Sequence, residues 1–371
     1  GGMVGGGIFS VLGLAAGEAG HAAPIAFALA GAVALLTGYS YMRLGLALRS
    51  NGGSFTYLEH AFRHPNIAGI GGWLLLAGYV GTCSLYAYTF GVYGTALIGG
   101  DAPAAVQRVL QSLILLVFMG VNLYGARASG SSEDVIVIVK VLILLVFAAA
   151  GLFYIQTDHL VPVFDHGASG VVLGAALIFV AYEGFELIPN AVSEMRDAER
   201  DLPRAIFISL AVTIVLYVLV SVVAVGNLTP QEIRDQKEYA LAVAAKPFLG
   251  DAGFTLIALA ALLSTSSAIN ATLFGTARLG MVMAKEHDLP RAFMLKEKSR
   301  DVPWASLVII TALAIAFVNT ADLTLISAFS SATFLLIFAA INLSAWRLRD
   351  RIGAGSIAPL VGAGSIAPLV G

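Results

Sequence analysis

Ten apolar runs of about 20 residues, flanked by charged or turn-forming residues, constrain this chain more than any other feature. A run of that length crosses the roughly 30 Å hydrocarbon core of a bilayer as a helix, because in lipid every backbone amide must be satisfied within its own segment. The runs lie near 1–17, 22–48, 67–98, 105–124, 133–155, 169–194, 204–226, 252–285, 303–319 and 323–346. The expected fold class is therefore an all-α integral membrane protein. Composition agrees: 58% of the residues are hydrophobic and 12% charged, against roughly 25% charged in soluble domains.

Two of the runs are interrupted. The first is Gly1-Gly2-Met3-Val4-Gly5-Gly6-Gly7-Ile8-Phe9, and the sixth carries Phe179-Val180-Ala181-Tyr182-Glu183-Gly184-Phe185-Glu186-Leu187-Ile188-Pro189. Unwound backbone at membrane depth is tolerated where it is buried in protein or lines a cavity. Broken helices in matching positions of two halves point to the midplane site of a secondary transporter. Five segments precede the 156–168 connection and five follow it, so each half reverses direction in the membrane. The expected organisation is a first five-helix repeat over 1–155 and a second, inverted one over 169–346. The chain begins inside an apolar segment, from which an earlier part of helix one is expected. The nonamer GAGSIAPLV occurs twice in tandem in the 353–371 tail, to which no function is assigned.

Lysine and arginine in short loops set the orientation. With a cytoplasmic N-terminus, Arg43, Arg49, Arg63, Arg127, Arg196, Arg200, Arg204, Lys285, Arg291, Lys296, Lys298, Arg300, Arg347, Arg349 and Arg351 face the cytoplasm, and only Arg108, Arg234, Lys237 and Lys246 face outward. A net charge of −2 gives no sign of a nucleic-acid partner, and the single Cys83 excludes an intrachain disulfide. All six histidines fall in or near expected loops, and no cofactor or metal is called for. No cleavable signal peptide is expected. The loops carry no phosphate-binding or nucleophile signature, which argues against an enzyme.

Within the membrane, a substrate carboxylate needs several donors, and backbone N–H groups at a half-helix N-terminus supply them. Glycines at 5, 6 and 7 permit that approach, although small residues also serve tight helix packing. Glu183 and Glu186 follow a twelve-residue apolar run too short to span alone, which places both acids at membrane depth. Intramembrane acids default to function, as proton relays among other roles; the structural alternative is a carboxylate that ties the broken helix to a neighbour. Lys140 sits in VIVIVKVLILL, about 10 Å into its helix, and either titrates in a desolvated site or snorkels to the interface. Arg278 is expected to snorkel. Ser264-Thr265-Ser266-Ser267 interrupts an apolar helix and either holds an ion or ammonium or packs helices. The cluster EMRDAERDLPR over 194–204 is expected to be a solvated connector.

MVGGGIF (Met3–Phe9) resembles the first-helix G-S-G-I-F signature of the amino acid–polyamine–organocation transporters, with Gly6 in place of the usual serine. YEGFE (Tyr182–Glu186) and RDLPRAI (Arg200–Ile206) resemble that family's sixth-helix and following-loop signature. The resemblance runs from Gly1 to about Trp346. YALAVAAKPFLG (Tyr239–Gly250), Ser264–Asn270 and IVKVLIL around Lys140 make the chain most similar to an archaeal, broad-specificity, proton-coupled member.

The resemblance implies the five-plus-five inverted-repeat fold shared with sodium-coupled amino acid transporters. The substrate carboxylate would meet backbone amides of Gly5, Gly6 and Gly7 beside Met3 and Val4. The α-ammonium would meet carbonyls around Met3 and near Val180 and Glu183. Lys140 would stand where sodium-driven relatives hold a sodium ion, with the Gly1 carbonyl and the Ser264 hydroxyl as its partners. Glu186 and Tyr182 are candidates for proton transfer or gating. Most members have twelve helices; the eleventh and twelfth are absent here. The expected function is a secondary active, alternating-access importer of amino acids in the cell membrane, proton-coupled and sodium-independent, with amino acid, protons and the lipid bilayer as its partners. The alternatives are an amino acid/organic cation exchanger or polyamine permease, in which Glu183 or Glu186 recognises a cation, and a non-transporting amino acid sensor or inactive truncated paralogue.

Overall fold

The structure is a computed structural model that describes residues 2–352, apart from 51, 63, 100–102, 126–129, 237 and 297–301. Gly1 and the 353–371 repeat thus lie outside the described residues. Helix α1 (Gly7–Ala19) is followed by a 3-10 turn at Gly20–Ala22 and by α2 (Ala23–Leu48). Together these make an apolar stretch of 42 residues, about 63 Å at helical rise and so twice the thickness of a bilayer core. Gly20 divides it, with φ at 58°, a conformation that glycine adopts without a steric penalty.

A short amphipathic helix, α3 (Gly53–Phe62), links α2 to α4 (Pro65–Ile98). It is too short and polar for the membrane-length reading of the sequence to reveal. Then come α5 (Ala104–Tyr124), α6 (Gly130–Leu152) and the short α7 (Gly167–Leu177). After α7 the chain leaves α-helical geometry, running through 3-10 turns at Phe179–Tyr182 and Phe185–Glu194. The axis bends by 51° across this break, where Gly184 has φ at 120° and Pro189 removes a backbone donor. Helix α8 (Ala198–Asn227) starts six residues earlier than expected. The Asp197 carboxylate accepts from the Arg200 N–H and caps it, so the charged connector is α-helical from Ala198 onward.

The small helices α9 (Pro230–Asp235) and α10 (Ala240–Ala244) precede α11 (Lys246–Lys285), which is interrupted at Gly250. Last come α12 (Trp304–Thr320) and α13 (Leu323–Arg347), the latter capped by Asp322. Among the described residues, seven stretches are long and apolar enough to cross a bilayer, eight with the bent pair, and α12 is a shorter apolar helix of 17 residues.

Helix α4 is central, packed against α5, α11, α12 and α13. Four contacts join helices of the two halves in matching order: α1 with α7, α2 with α8, α4 with α11, and α5 with α12. Others recur in exchanged form, since α4 meets α13 as α11 meets α6, and α2 meets α13 as α8 meets α6.

Helix α9 packs on α1 and carries a capping box. The Thr229 hydroxyl accepts from the Glu232 N–H, and the Glu232 carboxylate accepts from the Thr229 N–H at 2.8 Å. The Thr229 N–H and hydroxyl hold the Glu232 carboxyl below the usual carboxylate range. A carboxyl depressed by folding stabilises above its unfolded pKa, and that stabilisation is lost as pH falls through the folded value. Thr229→Ala is expected to destabilise α9 by about 1 kcal/mol near neutral pH. Faster amide exchange over 231–235 measures this, and the difference from wild type shrinks in acid as Glu232 takes up its proton.

Candidate functional site

Both interruptions fall in the buried centre and lie against each other. Met3 and Val4 are 6% and 5% exposed, and Gly5, Gly6 and Gly7 are buried. Residues 3–6 are turns and bends, and regular helix begins only at Gly7. The N-cap of α1 is Gly6, with no side chain capping the first turn. First-turn amides of a helix have no intrahelical acceptor, so this end presents donors toward the break.

Glycine is required at the contact between the segments. A Cβ on Gly7 would lie 2.7 Å from the Ala181 Cα, and one on Gly184 would lie 3.0 Å from the Met3 nitrogen. The Tyr217 hydroxyl of α8 stands between the two breaks, its one proton shared between the Met3 carbonyl at 2.5 Å and the Ala181 carbonyl at 3.2 Å. Hydroxyls of α13 hold the sixth segment. Ser331 accepts from the Val180 N–H at 3.0 Å, and both Ser327 and Ser331 donate to the Leu177 carbonyl. The Val180 carbonyl itself accepts from the Glu183 N–H. The Tyr182 hydroxyl donates to the Phe27 carbonyl at 2.8 Å, which braces the break on α2.

The two acids are each 2% exposed. Tyr86 donates to Glu183 Oε2 at 3.3 Å and Tyr79 to Glu186 Oε1 at 3.2 Å, while the Gly184 N–H donates to Glu186 Oε2 at 2.7 Å. Tyr79 and Tyr86 stand two turns apart on one face of α4. The Tyr86 ring also fills the space beside the glycines, since a Cβ on Gly6 would lie 2.5 Å from its Cδ1. A small cleft lined by Gly53, Tyr79, Glu186, Asn190, Thr272 and Thr276 among others reaches Glu186.

Lys140 is 1% exposed on α6, which packs against α8 and α11; the side chain does not reach the molecular surface. Arg278 is exposed and stacks on Phe274, with 4.3 Å between its guanidinium carbon and the ring centroid. The expected contact between Lys140 and Ser264 is not formed. The Ser264 hydroxyl is fully buried and makes no hydrogen bond among the described residues. Its neighbours on α11 lie against the first segment, Thr265 beside Gly6 and Ala268 beside Gly5, so that stretch of the helix lies along the glycine run.

Tyr79, Tyr86, Tyr217 and Ser331 were not foreseen. The seven-residue spacing of Tyr79 and Tyr86 places two hydroxyls on one helix face and is legible in principle. Tyr217 stands alone in an apolar run and carries no such signal.

The sequence model of the amino acid permease family matches residues 1–354. An uncharacterized protein of Methanocaldococcus jannaschii is 37% identical over 352 residues, 95% of this chain and 80% of its own. The inner membrane transport protein YbaT of Escherichia coli is 31% identical over 358 residues, covering 95% of this chain and 82% of that protein. The methylthioribose transporter of Bacillus subtilis is 29% identical, covering 91% and 77%. An extended match of this kind, on an all-helical chain whose two broken segments meet at its centre, makes this protein a member of the amino acid permease family.

Proposed function

We propose that this chain is a proton-coupled, sodium-independent importer of amino acids that works by alternating access between two inverted five-helix repeats, 1–155 and 169–346. The observation that carries the reading is the Tyr217 hydrogen bond to both unwound segments, because it joins two sets of open backbone groups in a buried site. The exchanged contact pattern supports the repeats: α4 meets α13 as α11 meets α6, and α2 meets α13 as α8 meets α6, the pairs that a twofold axis in the membrane plane would interchange.

The amides of Gly5, Gly6 and Gly7 at the N-terminal end of α1, beside Met3 and Val4, receive the substrate carboxylate. Carbonyls near Met3, Val180 and Glu183 receive the α-ammonium. Protonated Lys140 orders the broken first helix against α11, with the Gly1 carbonyl as the group it engages, and its deprotonation toward the cytoplasm loosens the site. A proton shifts a conformational equilibrium only through differential binding to the two states, and a lysine in an apolar setting provides that difference. Glu186 stands at the floor of the cleft as the gating acid, with Tyr182 bracing the break. In a cell membrane with the N-terminus cytoplasmic, the α2–α3 link and this cleft face the cytoplasm.

Counterflow into proteoliposomes preloaded with unlabelled amino acids tests transport itself. Accumulation of labelled amino acid is expected. Saturable binding without flux contradicts the reading and points to a sensor.

A further inference from the structure

Three tyrosine hydroxyls brace the broken segments. Tyr93 donates to the Phe9 carbonyl at 2.8 Å, Tyr182 donates to the Phe27 carbonyl at 2.8 Å, and Tyr217 reaches the Met3 and Ala181 carbonyls. Each ends on the backbone. Tyr86 of α4 differs. It is 2% exposed, and its hydroxyl ends on a side chain, Glu183 Oε2, at 3.3 Å. Hydrogen bonds between oxygens are usually about 2.7–2.8 Å long. A long bond to a side chain rather than to the backbone makes this the loosest of the four attachments.

The ring of Tyr86 lies on the glycine run. A Cβ on Gly6 would stand 2.5 Å from Tyr86 Cδ1 and 3.2 Å from Cε1, and one on Gly5 would stand 3.3 Å from Cζ. Thr265 closes the same place from α11, with its Cγ2 2.9 Å from the Gly6 position. The space between the ring and Gly6 is therefore smaller than a methyl group. The serine usual at this position of the first-helix signature would collide with the ring, so the pose of Tyr86 depends on Gly6.

The site proposed above has one end at the amides of Gly5, Gly6 and Gly7 and the other at carbonyls near Val180 and Glu183. Tyr86 spans the same two places, with its ring on the first and its hydroxyl on the side chain of the second. A substrate backbone that joined them would overlap the tyrosine. We infer that Tyr86 is an internal competitor of the substrate: loading an amino acid breaks the Tyr86–Glu183 hydrogen bond and turns the ring off the glycine run. The inference rests on the placement of the substrate given above. Only the fraction of molecules with the ring displaced binds, and the apparent affinity falls by that fraction. The tyrosine competes with the backbone of the substrate, so it weakens every amino acid alike, whatever its side chain.

Equilibrium binding of labelled alanine and labelled leucine to the purified full chain, wild type and Tyr86→Phe, tests it. Phenylalanine keeps the ring and removes the one hydrogen bond that loading breaks. Tyr86→Phe is expected to bind both amino acids roughly fivefold more tightly, the effect of one hydrogen bond of ordinary net strength. Weaker binding would make the hydroxyl a ligand of the substrate, and unchanged binding would make the ring a fixed wall. A gain confined to leucine would place the ring in the side-chain pocket. Each of these results overturns the inference while the transport reading stands. Failure of both amino acids to bind either protein overturns the transport reading, and the inference falls with it. Should Tyr86→Phe fail to assemble, Tyr86→Leu, which removes the ring and the hydroxyl together, is expected to tighten both ligands by at least as much; equal or weaker binding again overturns the inference.

Discussion

Gly7→Ala is expected to weaken substrate binding by about thirtyfold, the equivalent of about 2 kcal/mol of overpacking, and to slow uptake with it. The added methyl would stand 2.7 Å from the Ala181 Cα and 2.9 Å from its Cβ. The first of those atoms is backbone, so no side-chain rotation relieves the clash. Relief requires the first and sixth segments to separate, which moves the Met3 carbonyl away from the Ala181 carbonyl that Tyr217 joins to it. Gly17→Ala is the matched control. It lies in the same helix with nothing within 4 Å of the new methyl, and alanine is the better helix former, so wild-type uptake is expected. Normal affinity in Gly7→Ala would show that the two breaks do not share one binding surface.

Lys140→Met is expected to uncouple transport from the proton gradient. Methionine approximates the length of the buried stem without its charge, which limits the cavity that alanine would leave. Inward uptake driven by a pH gradient should fall by at least roughly tenfold, the effect of losing one charged hydrogen bond of about 1.4 kcal/mol. Substrate exchange across vesicles without a gradient should persist. The burial of Lys140 makes this a strong test: a side chain that is 1% exposed has no lipid headgroup to reach, so its charge acts within the protein or not at all. Gradient-driven uptake unchanged in Lys140→Met would remove the residue from the coupling mechanism.

Much of this architecture was legible because a bilayer imposes length and apolarity on each crossing segment. The runs at 67–98, 105–124 and 323–346 nearly coincide with α4, α5 and α13. Both helix breaks were legible for a related reason: five glycines in seven residues, and a Gly184–Pro189 pair between buried acids, have no stable place in a continuous helix. What escaped depends on distance in space. Helix α3 sits outside the apolar runs, and its amphipathic decamer packs on α4 and α13, which a hydropathy reading does not reveal. The start of α8 was set by the Asp197 cap rather than by Pro203. Tyr217 lies 214 residues from Met3 in the chain, and no local pattern announces such a bond. The Ser264 hydroxyl was assigned a partner by resemblance, and the fold instead leaves it unpaired along the glycine run.

The central claim is that protons, without sodium, drive amino acids through the crossing of the two broken helices. Proteoliposomes containing the wild-type chain, with sodium replaced by choline on both sides, are given labelled alanine and an inside-alkaline pH gradient. The account predicts transient accumulation above the external concentration, abolished by a protonophore. Uptake that ignores the gradient and appears only when sodium is restored would contradict it.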